Sequence, residues 1–156
     1  MFVKKVIVVS LLAGVVALGI VIARNRPTAD QDAVVYRQAL MTVIGDQTQP
    51  LLLMQRGQIP YSAALAGRHA GNLVTLAGMI PEAFVRNTSA ARRLDTAALP
   101  YVWSDRTDFL HSAQRLQSDA ATLQSALESG NAVRIDSAIA ALGGQCEQCH
   151  RAFRDD

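Results

Sequence analysis

Residues 131–154 read NAVRIDSAIAALGGQCEQCHRAFR, and their pattern decides the fold. Apolar residues recur there at steps of three and four positions, at Ile135, Ile139, Leu142, Cys146, Cys149 and Phe153. This spacing places the apolar side chains on one face of a helix, which is typical of a helix packed in a bundle. Asn131 suits the N-cap, because its side chain can accept a hydrogen bond from the first turn. The stretch predicts a helix over about 131–154.

The preceding segment has the same periodicity. Its apolar positions are Val102, Phe109, Ala113, Leu116, Ala120, Leu123 and Leu127, with Arg106 in the one gap. Pro100 suits the first turn of a helix, and Gly130 suits a C-terminal stop. A third helix of the domain is therefore predicted over about 100–129.

Two further helices are predicted upstream, over about 32–55 and 62–80. Pro50 is expected to kink or shorten the first, and Pro81 to end the second, because proline cannot donate the helical hydrogen bond. The connection over 82–99 is long for a compact domain, so it is expected to hold a short helical turn. Four helices joined by turns predict an all-α protein, an antiparallel four-helix bundle.

The N-terminal segment has a different composition. Residues 1–23 of the 156-residue chain contain 18 hydrophobic residues, and Lys4 and Lys5 are their only charges. The run over 6–23 is uncharged and would be about 27 Å long as a helix, just enough to cross a hydrocarbon core. An N-terminal transmembrane anchor over 1–23 is predicted, with a cleaved signal peptide as the alternative. Residues 24–31 are interpreted as a linker and 32–156 as the working domain.

The charge of that domain is balanced. The net charge of +2 comes from Lys4 and Lys5, since the remainder has 13 arginines against 13 acidic residues. A neutral domain lacks the basic footprint of a nucleic-acid-binding protein, so no nucleic-acid partner is expected. Its hydrophobic content, about 45%, is ordinary for a globular domain and excludes intrinsic disorder.

Both cysteines lie in Cys146-Glu147-Gln148-Cys149-His150. A C-x-x-C-H pattern is the attachment signature of c-type haem. One helical turn separates the two thiols, so both can form thioethers to one porphyrin, and the adjacent histidine can give a nitrogen to the iron. Because Cys146 and Cys149 lie on the apolar face of the predicted helix, the haem is expected to face the interior of the bundle.

A C-x-x-C pair has three other common uses. A thioredoxin-type redox pair opens a helix after a strand, and no βαβ pattern is present. A zinc site needs a second pair of ligands at suitable spacing, which the sequence lacks. A plain disulfide in an exported protein would not need the adjacent His150. Covalent haem is the favoured interpretation.

The position of this motif near the C-terminus resembles the class II c-type cytochromes, the cytochrome c′ family. Four stretches strengthen the resemblance: residues 32–38 (DAVVYRQ), 57–61 (GQIPY), 100–105 (PYVWSD) and 149–154 (CHRAFR). The resemblance covers about residues 32–156. It implies a four-helix bundle that carries one covalently attached haem c.

The resemblance also implies roles for single residues. His150 is the proximal iron ligand, Arg37 matches an arginine near the haem propionates, and Arg154 matches a basic residue beside the proximal histidine. Met41 falls at the position that faces the iron on the distal side. An apolar leucine or phenylalanine there leaves the iron five-coordinate and open to small gases, whereas a methionine can ligate and give the six-coordinate, low-spin branch of the family.

Each of these residues has a simpler alternative. Met41 lies on the apolar face with Val34 and Ile44, where methionine is usually core filler. Arg37 could be a solvated surface residue. Five other residues are predicted to have structural or surface roles: His69 as a half-buried histidine and a rival ligand, His111 facing solvent, Met54 and Met79 in the core, and Trp103 as a packing anchor.

The sequence therefore predicts a monohaem c-type cytochrome that carries single electrons in the periplasm, with His150 and Met41 as axial ligands. The alternative is a five-coordinate protein that binds NO or CO. Enzymatic activity such as that of a peroxidase is not expected, because no distal acid or base other than His69 can be placed near Met41. The expected partners are redox proteins of the periplasm or membrane and a second copy of the chain, with the domain anchored on the periplasmic side of the inner membrane or soluble after cleavage.

Overall fold

The computed structural model describes residues 28–91 and 94–155. Their helices are α1 (Ala29–Gln55), α2 (Ala63–Ala83), α3 (Tyr101–Ser104), α4 (Arg106–Ser129) and α5 (Ala132–Phe153). The four long helices pack as a bundle, in which α2 lies against α1 and α4, and α5 lies against α4 and, less extensively, α1. The predicted all-α class is confirmed.

The predicted N-terminal anchor over 1–23 lies outside the described residues. Within the described ranges, no helix is both long enough and apolar enough to cross a membrane.

The first helix begins earlier than the sequence suggested. The Thr28 side chain accepts from the Gln31 backbone N–H at 3.2 Å, and the Gln31 side chain accepts from the Thr28 N–H at 2.7 Å. This reciprocal capping box satisfies two N–H groups that the first turn cannot pair internally. The last residues of the predicted linker, 29–31, therefore belong to α1.

The effect predicted for the two prolines is wrong in part. α1 is a single helix that passes through Pro50 and ends at Gln55, and α2 passes through Pro81 to Ala83. Each proline lacks only its own hydrogen bond to the carbonyl four residues earlier, and the helix continues after it, to Gln55 in α1 and to Ala83 in α2. Pro81 therefore does not end α2, and Pro50 does not shorten α1.

The helix predicted over 100–129 is divided in two. Asp105 has φ −107° and ψ 47°, which lies outside the helical region and separates α3 from α4. Gly130 ends α4 in the left-handed region at φ 66°, as predicted for a C-terminal glycine. The Asn131 side chain accepts from the Arg134 N–H at 3.0 Å, so its predicted role as N-cap is confirmed.

The connection between α2 and α3 contains no helix in its described residues, 84–91 and 94–100. Its end is tied to the C-terminus by an antiparallel bridge between Ala98 and Arg154. In that bridge the Leu99 N–H donates to the Phe153 carbonyl at 3.0 Å, and the Asp155 N–H donates to the Ala97 carbonyl at 2.8 Å. The short helical turn expected in this connection is therefore absent from its described residues, and α3 belongs to the stretch predicted as the third helix.

The core follows the predicted periodicity. Buried positions of α4 and α5 include Phe109, Ala113, Leu116, Ala120, Leu123, Ile135, Ile139, Leu142 and Phe153. Arg106 occupies the one position of this periodic pattern that is not apolar. Its guanidinium donates to the carbonyls of Pro81 (2.9 Å) and Phe84 (3.2 Å) at the end of α2. The apolar faces of the helices therefore pack against one another, as their amphipathic pattern predicts.

Replacing Leu142 tests this core. Its side chain is completely buried, so Leu142→Ala is expected to lower the free energy of unfolding by about 2–5 kcal/mol through lost burial and a residual cavity. Leu65→Ala is the matched control, because Leu65 is exposed and should lose less than about 1 kcal/mol. Urea unfolding followed by circular dichroism measures both; equal losses would contradict the assigned core.

Candidate functional site

A cavity of about 630 Å³ opens between α1, α4 and α5, with the end of α2 and the connection after it at one side. A cavity of this size can hold a sizeable organic ligand. All six residues that the sequence singled out line it: Arg37, Met41, Cys146, Cys149, His150 and Arg154. The rest of the wall is mainly apolar, with Ile44, Ile80, Val102, Phe109, Leu116 and Phe153 among its residues.

The last turns of α5 hold the C-x-x-C-H motif. Cys146 and Cys149 are half-buried one turn apart and pack against the core, whereas His150 is exposed at the rim of the cavity. The two cysteines are not joined to each other by a disulfide. Burial raises the pKa of Cys146, and it raises the pKa of Cys149 to about 11 with a further contribution from Cys146. Neither thiol has the lowered pKa that is typical of a redox-active cysteine pair.

Arg37 forms the polar corner of the cavity. It is only 3% exposed, so the surface alternative for this residue is wrong. Its guanidinium carbon lies 5.2 Å from the Phe84 ring centre and 5.3 Å from that of Trp103. Its Nε donates to the Ala33 carbonyl at 3.0 Å, and one Nη donates to the Thr88 hydroxyl at 2.8 Å.

The other Nη atom of Arg37 is buried and has no hydrogen-bond partner among the described residues. Burial lowers the pKa of this guanidinium, and the charge of Asp30 partly offsets the effect. Arginine nevertheless keeps its charge in proteins. A buried cation with an unpaired N–H, at the wall of a cavity, is suited to an anionic group of a ligand.

Met41 lies one helical turn after Arg37 on the wall that α1 contributes. It is half-buried and packs against the core cluster. The structure thus brings Met41 and His150 to one cavity, while the role of Met41 as an iron ligand stays a prediction.

Arg154 is the residue that follows α5. Its side chain is exposed and lines the cavity, while its backbone N–H donates to the His150 carbonyl at 2.9 Å. The bridge to Ala98 fixes its backbone. Arg154 therefore lies at the same rim as His150.

The five residues predicted to have structural or surface roles do not line the cavity. His69 is half-buried, and its Nδ1 is 3.0 Å from the Gln47 side-chain oxygen. His111 is exposed and Met54 is buried, as predicted, and Met79 packs beside the core. Trp103 donates from its indole N–H to the Phe84 carbonyl at 3.0 Å, which fits a packing anchor. In the described parts of the chain, no three His, Cys, Asp or Glu residues are grouped to hold a metal ion.

Sequence reasoning missed Thr88, Phe84 and Gln145 as parts of the site. Thr88 and Phe84 come from the connection after α2, which has no periodicity to draw attention to them. Gln145 is buried beside Cys146 and donates to the Ser112 carbonyl of α4 at 3.2 Å. No local pattern distinguishes these residues from ordinary loop or helix positions.

The sequence model of the Cytochrome C' family matches residues 32–154. The chain belongs to the cytochrome c′ family. It is similar to cytochrome c' of Pararhodospirillum photometricum, with 31% identity over 77% of this chain and 94% of the relative.

Solved structures of cytochromes c′ are similar in fold as well. Cytochrome c prime from Shewanella frigidimarina aligns with a TM-score of 0.76 and 30% identity, over 84% of this chain and all of the other. A nitric oxide complex of a cytochrome c prime mutant from Alcaligenes xylosoxidans aligns with a TM-score of 0.72 and 27% identity, over 84% and 99% of the two chains. Both similarities cover the bundle.

Proteins of the cytochrome c′ family carry one covalently attached haem c, and the residues of this cavity fit that group. Cys146 and Cys149 supply two thiols on one helical turn, which covalent attachment requires. The apolar wall suits a porphyrin, and the unpaired N–H of Arg37 suits a propionate. The protein is therefore a haem c cytochrome.

Proposed function

We propose that the protein binds small gases such as NO and CO at the haem iron, on the side of the cavity formed by α1. The observation that carries this proposal is the composition of that wall. From Met41 to Gln49, the cavity-lining residues of α1 are Met41, Thr42, Ile44, Gly45, Thr48 and Gln49. An uncharged wall of this kind suits small neutral ligands. A solved relative that is a nitric oxide complex supports the same function.

The residues of the chain have separate tasks in this proposal. Cys146 and Cys149 hold the haem by thioethers, and His150 gives an imidazole nitrogen to the iron. Arg37, at the buried polar corner of the cavity, and Arg154, at its rim, pair with the propionates. When bound, the haem would supply an iron that can take a small ligand.

No enzymatic role is proposed. A peroxidase needs a distal acid or base within hydrogen-bond reach of its substrate. The stretch of α1 from Met41 to Gln49 brings no titratable side chain to the cavity wall. Thr48 is the buried hydroxyl on that wall, and it donates to the Ile44 carbonyl at 2.9 Å within its own helix.

Absorption spectroscopy of the native protein tests gas binding. The oxidised and reduced forms are expected to be high-spin, and the reduced form is expected to change its spectrum on stoichiometric addition of CO or NO. Low-spin spectra with the far-red band of a Met–ferric bond, and no response to CO, would refute the proposal.

Electron transfer is the second candidate function, and the position of Met41 favours it. A thioether can bind iron in both oxidation states, which suits a carrier of single electrons. In that case Met41 is the sixth ligand, and the partners are redox proteins.

We infer a periplasmic location from the haem c chemistry and from the apolar segment over 1–23. The domain is expected to be free in the periplasm or tethered to the inner membrane, depending on whether that segment is cleaved. A homodimer is a further expectation. N-terminal sequencing of the native protein distinguishes the two locations, since a start after Ala23 removes the tether.

A further inference from the structure

The guanidinium of Arg37 contacts residues of the connection between α2 and α3 and Trp103 of α3. Thr88 is 2% exposed and accepts from one Nη at 2.8 Å, although it lies 51 residues away in sequence. Phe84 and Trp103 contact the guanidinium as cation–π partners. Thr88 does not line the cavity, so its contact with the site passes through Arg37.

We propose that Thr88 is a positioning residue: its hydroxyl fixes the rotation of the Arg37 guanidinium, so that the arginine charge is held at the cavity wall beside a haem propionate and tunes the reduction potential. This inference rests on the propionate role proposed for Arg37.

The geometry of the guanidinium supports this role. Its plane carries five N–H donors in a fixed fork, so holding Nε and one Nη determines where the other Nη points. The Ala33 carbonyl holds Nε, and Thr88 holds one Nη. The remaining Nη is the buried atom without a partner. Removing the Thr88 hydroxyl releases one of the two constraints and leaves that Nη unpaired as well.

Other contacts hold the connection close to Arg37. The Gln38 side chain donates to the Asp95 carbonyl at 2.8 Å, and Arg86 forms an ion pair with Asp30. Both contacts join the connection to the first half of α1. The connection that carries Thr88 is therefore bonded to α1, the helix that carries Arg37.

The charge of Arg37 affects the haem in a definite direction. A cation near a propionate offsets its negative charge, and negative charge near the iron favours the ferric state. Weaker placement of the guanidinium is therefore expected to lower the midpoint potential.

The test is potentiometry of the purified holoprotein. We expect Arg37→Leu to lower the ferric-to-ferrous equilibrium constant by about tenfold, equivalent to about 59 mV for one electron. Thr88→Val, which keeps the shape but loses the hydroxyl, is expected to lower it by about threefold. Thr88→Ser retains the hydroxyl and should restore the native potential. Thr122→Val is the control, because its hydroxyl bonds only to Ser118 on the exposed side of α4.

The double variant Arg37→Leu/Thr88→Val separates positioning from a general structural effect. If Thr88 acts through Arg37, the double variant has the potential of Arg37→Leu alone. A native potential in Thr88→Val, or an equal further drop in the double variant, overturns the role of Thr88. A native potential in Arg37→Leu overturns instead the propionate role on which it rests.

A measurement on the unmutated holoprotein tests the proposal even if the variants do not fold. In isotope-labelled protein, NMR should resolve separate signals for the two Nη groups of Arg37, because a guanidinium held on both sides rotates slowly. Thr88→Ser should preserve these signals. A single averaged signal in the native protein would overturn the proposal.

Discussion

Replacing both Cys146 and Cys149 with serine is expected to abolish covalent haem attachment. A serine hydroxyl does not form the thioether that a cysteine thiol forms with a porphyrin edge, and the chain has no other cysteine. The haem should then be removable by acidified organic solvent. Mass spectrometry of the denatured double variant should give the mass of the polypeptide alone, whereas the native chain should carry the added mass of one haem.

Single cysteine variants and a serine control complete this experiment. Each single variant, Cys146→Ser or Cys149→Ser, keeps one thiol on the cavity wall and is expected to retain a fraction of covalent haem. Ala141→Ser places the same hydroxyl on the exposed side of α5 and should leave attachment at the native level. Covalent haem in the double variant would show that the C-x-x-C-H motif is not the attachment site.

The bundle could be predicted because the signals that define its helices lie within short stretches of sequence. Apolar spacing in α4 and α5 reports which face is buried, and Asn131 and Gly130 mark helix ends by their own chemistry. The break at Asp105 could not be read in this way. There Trp103 and Arg106 both donate to the carbonyl of Phe84, 19 and 22 residues earlier. A contact between distant segments sets that backbone, and the local pattern continues through it.

The residues of the candidate site also differ in how far the sequence reveals their role. Cys146, Cys149 and His150 are adjacent in sequence, so their chemistry is visible without a structure. Arg37 and Met41 became candidates through the resemblance to cytochromes c′. The acceptor for Arg37 lies in a connection without periodicity, and only the folded chain brings Thr88 to it. Residues that position a ligand-binding group are therefore the least predictable part of the site.

Substitutions of Met41 are expected to have the second large effect, which is on the binding of CO. If Met41 only packs on the cavity wall, Met41→Leu preserves its apolar volume, and the spectrum and CO affinity should stay within about threefold of native. Met41→Ala removes most of that side chain and opens the wall, so the CO association rate should rise by about tenfold or more. Stopped-flow mixing of the reduced protein with CO measures both.

The leucine variant also decides between the two candidate functions. A thioether bound to iron must be displaced before CO can bind, and the apparent affinity then falls with the fraction of unligated protein. Under that alternative, Met41→Leu would convert a low-spin protein to a high-spin one and raise CO affinity by about a hundredfold or more. Met54→Leu is the matched control, because Met54 is a buried methionine of α1 that does not line the cavity. A change of spin state in Met41→Leu, with none in the control, would favour electron transfer over gas binding.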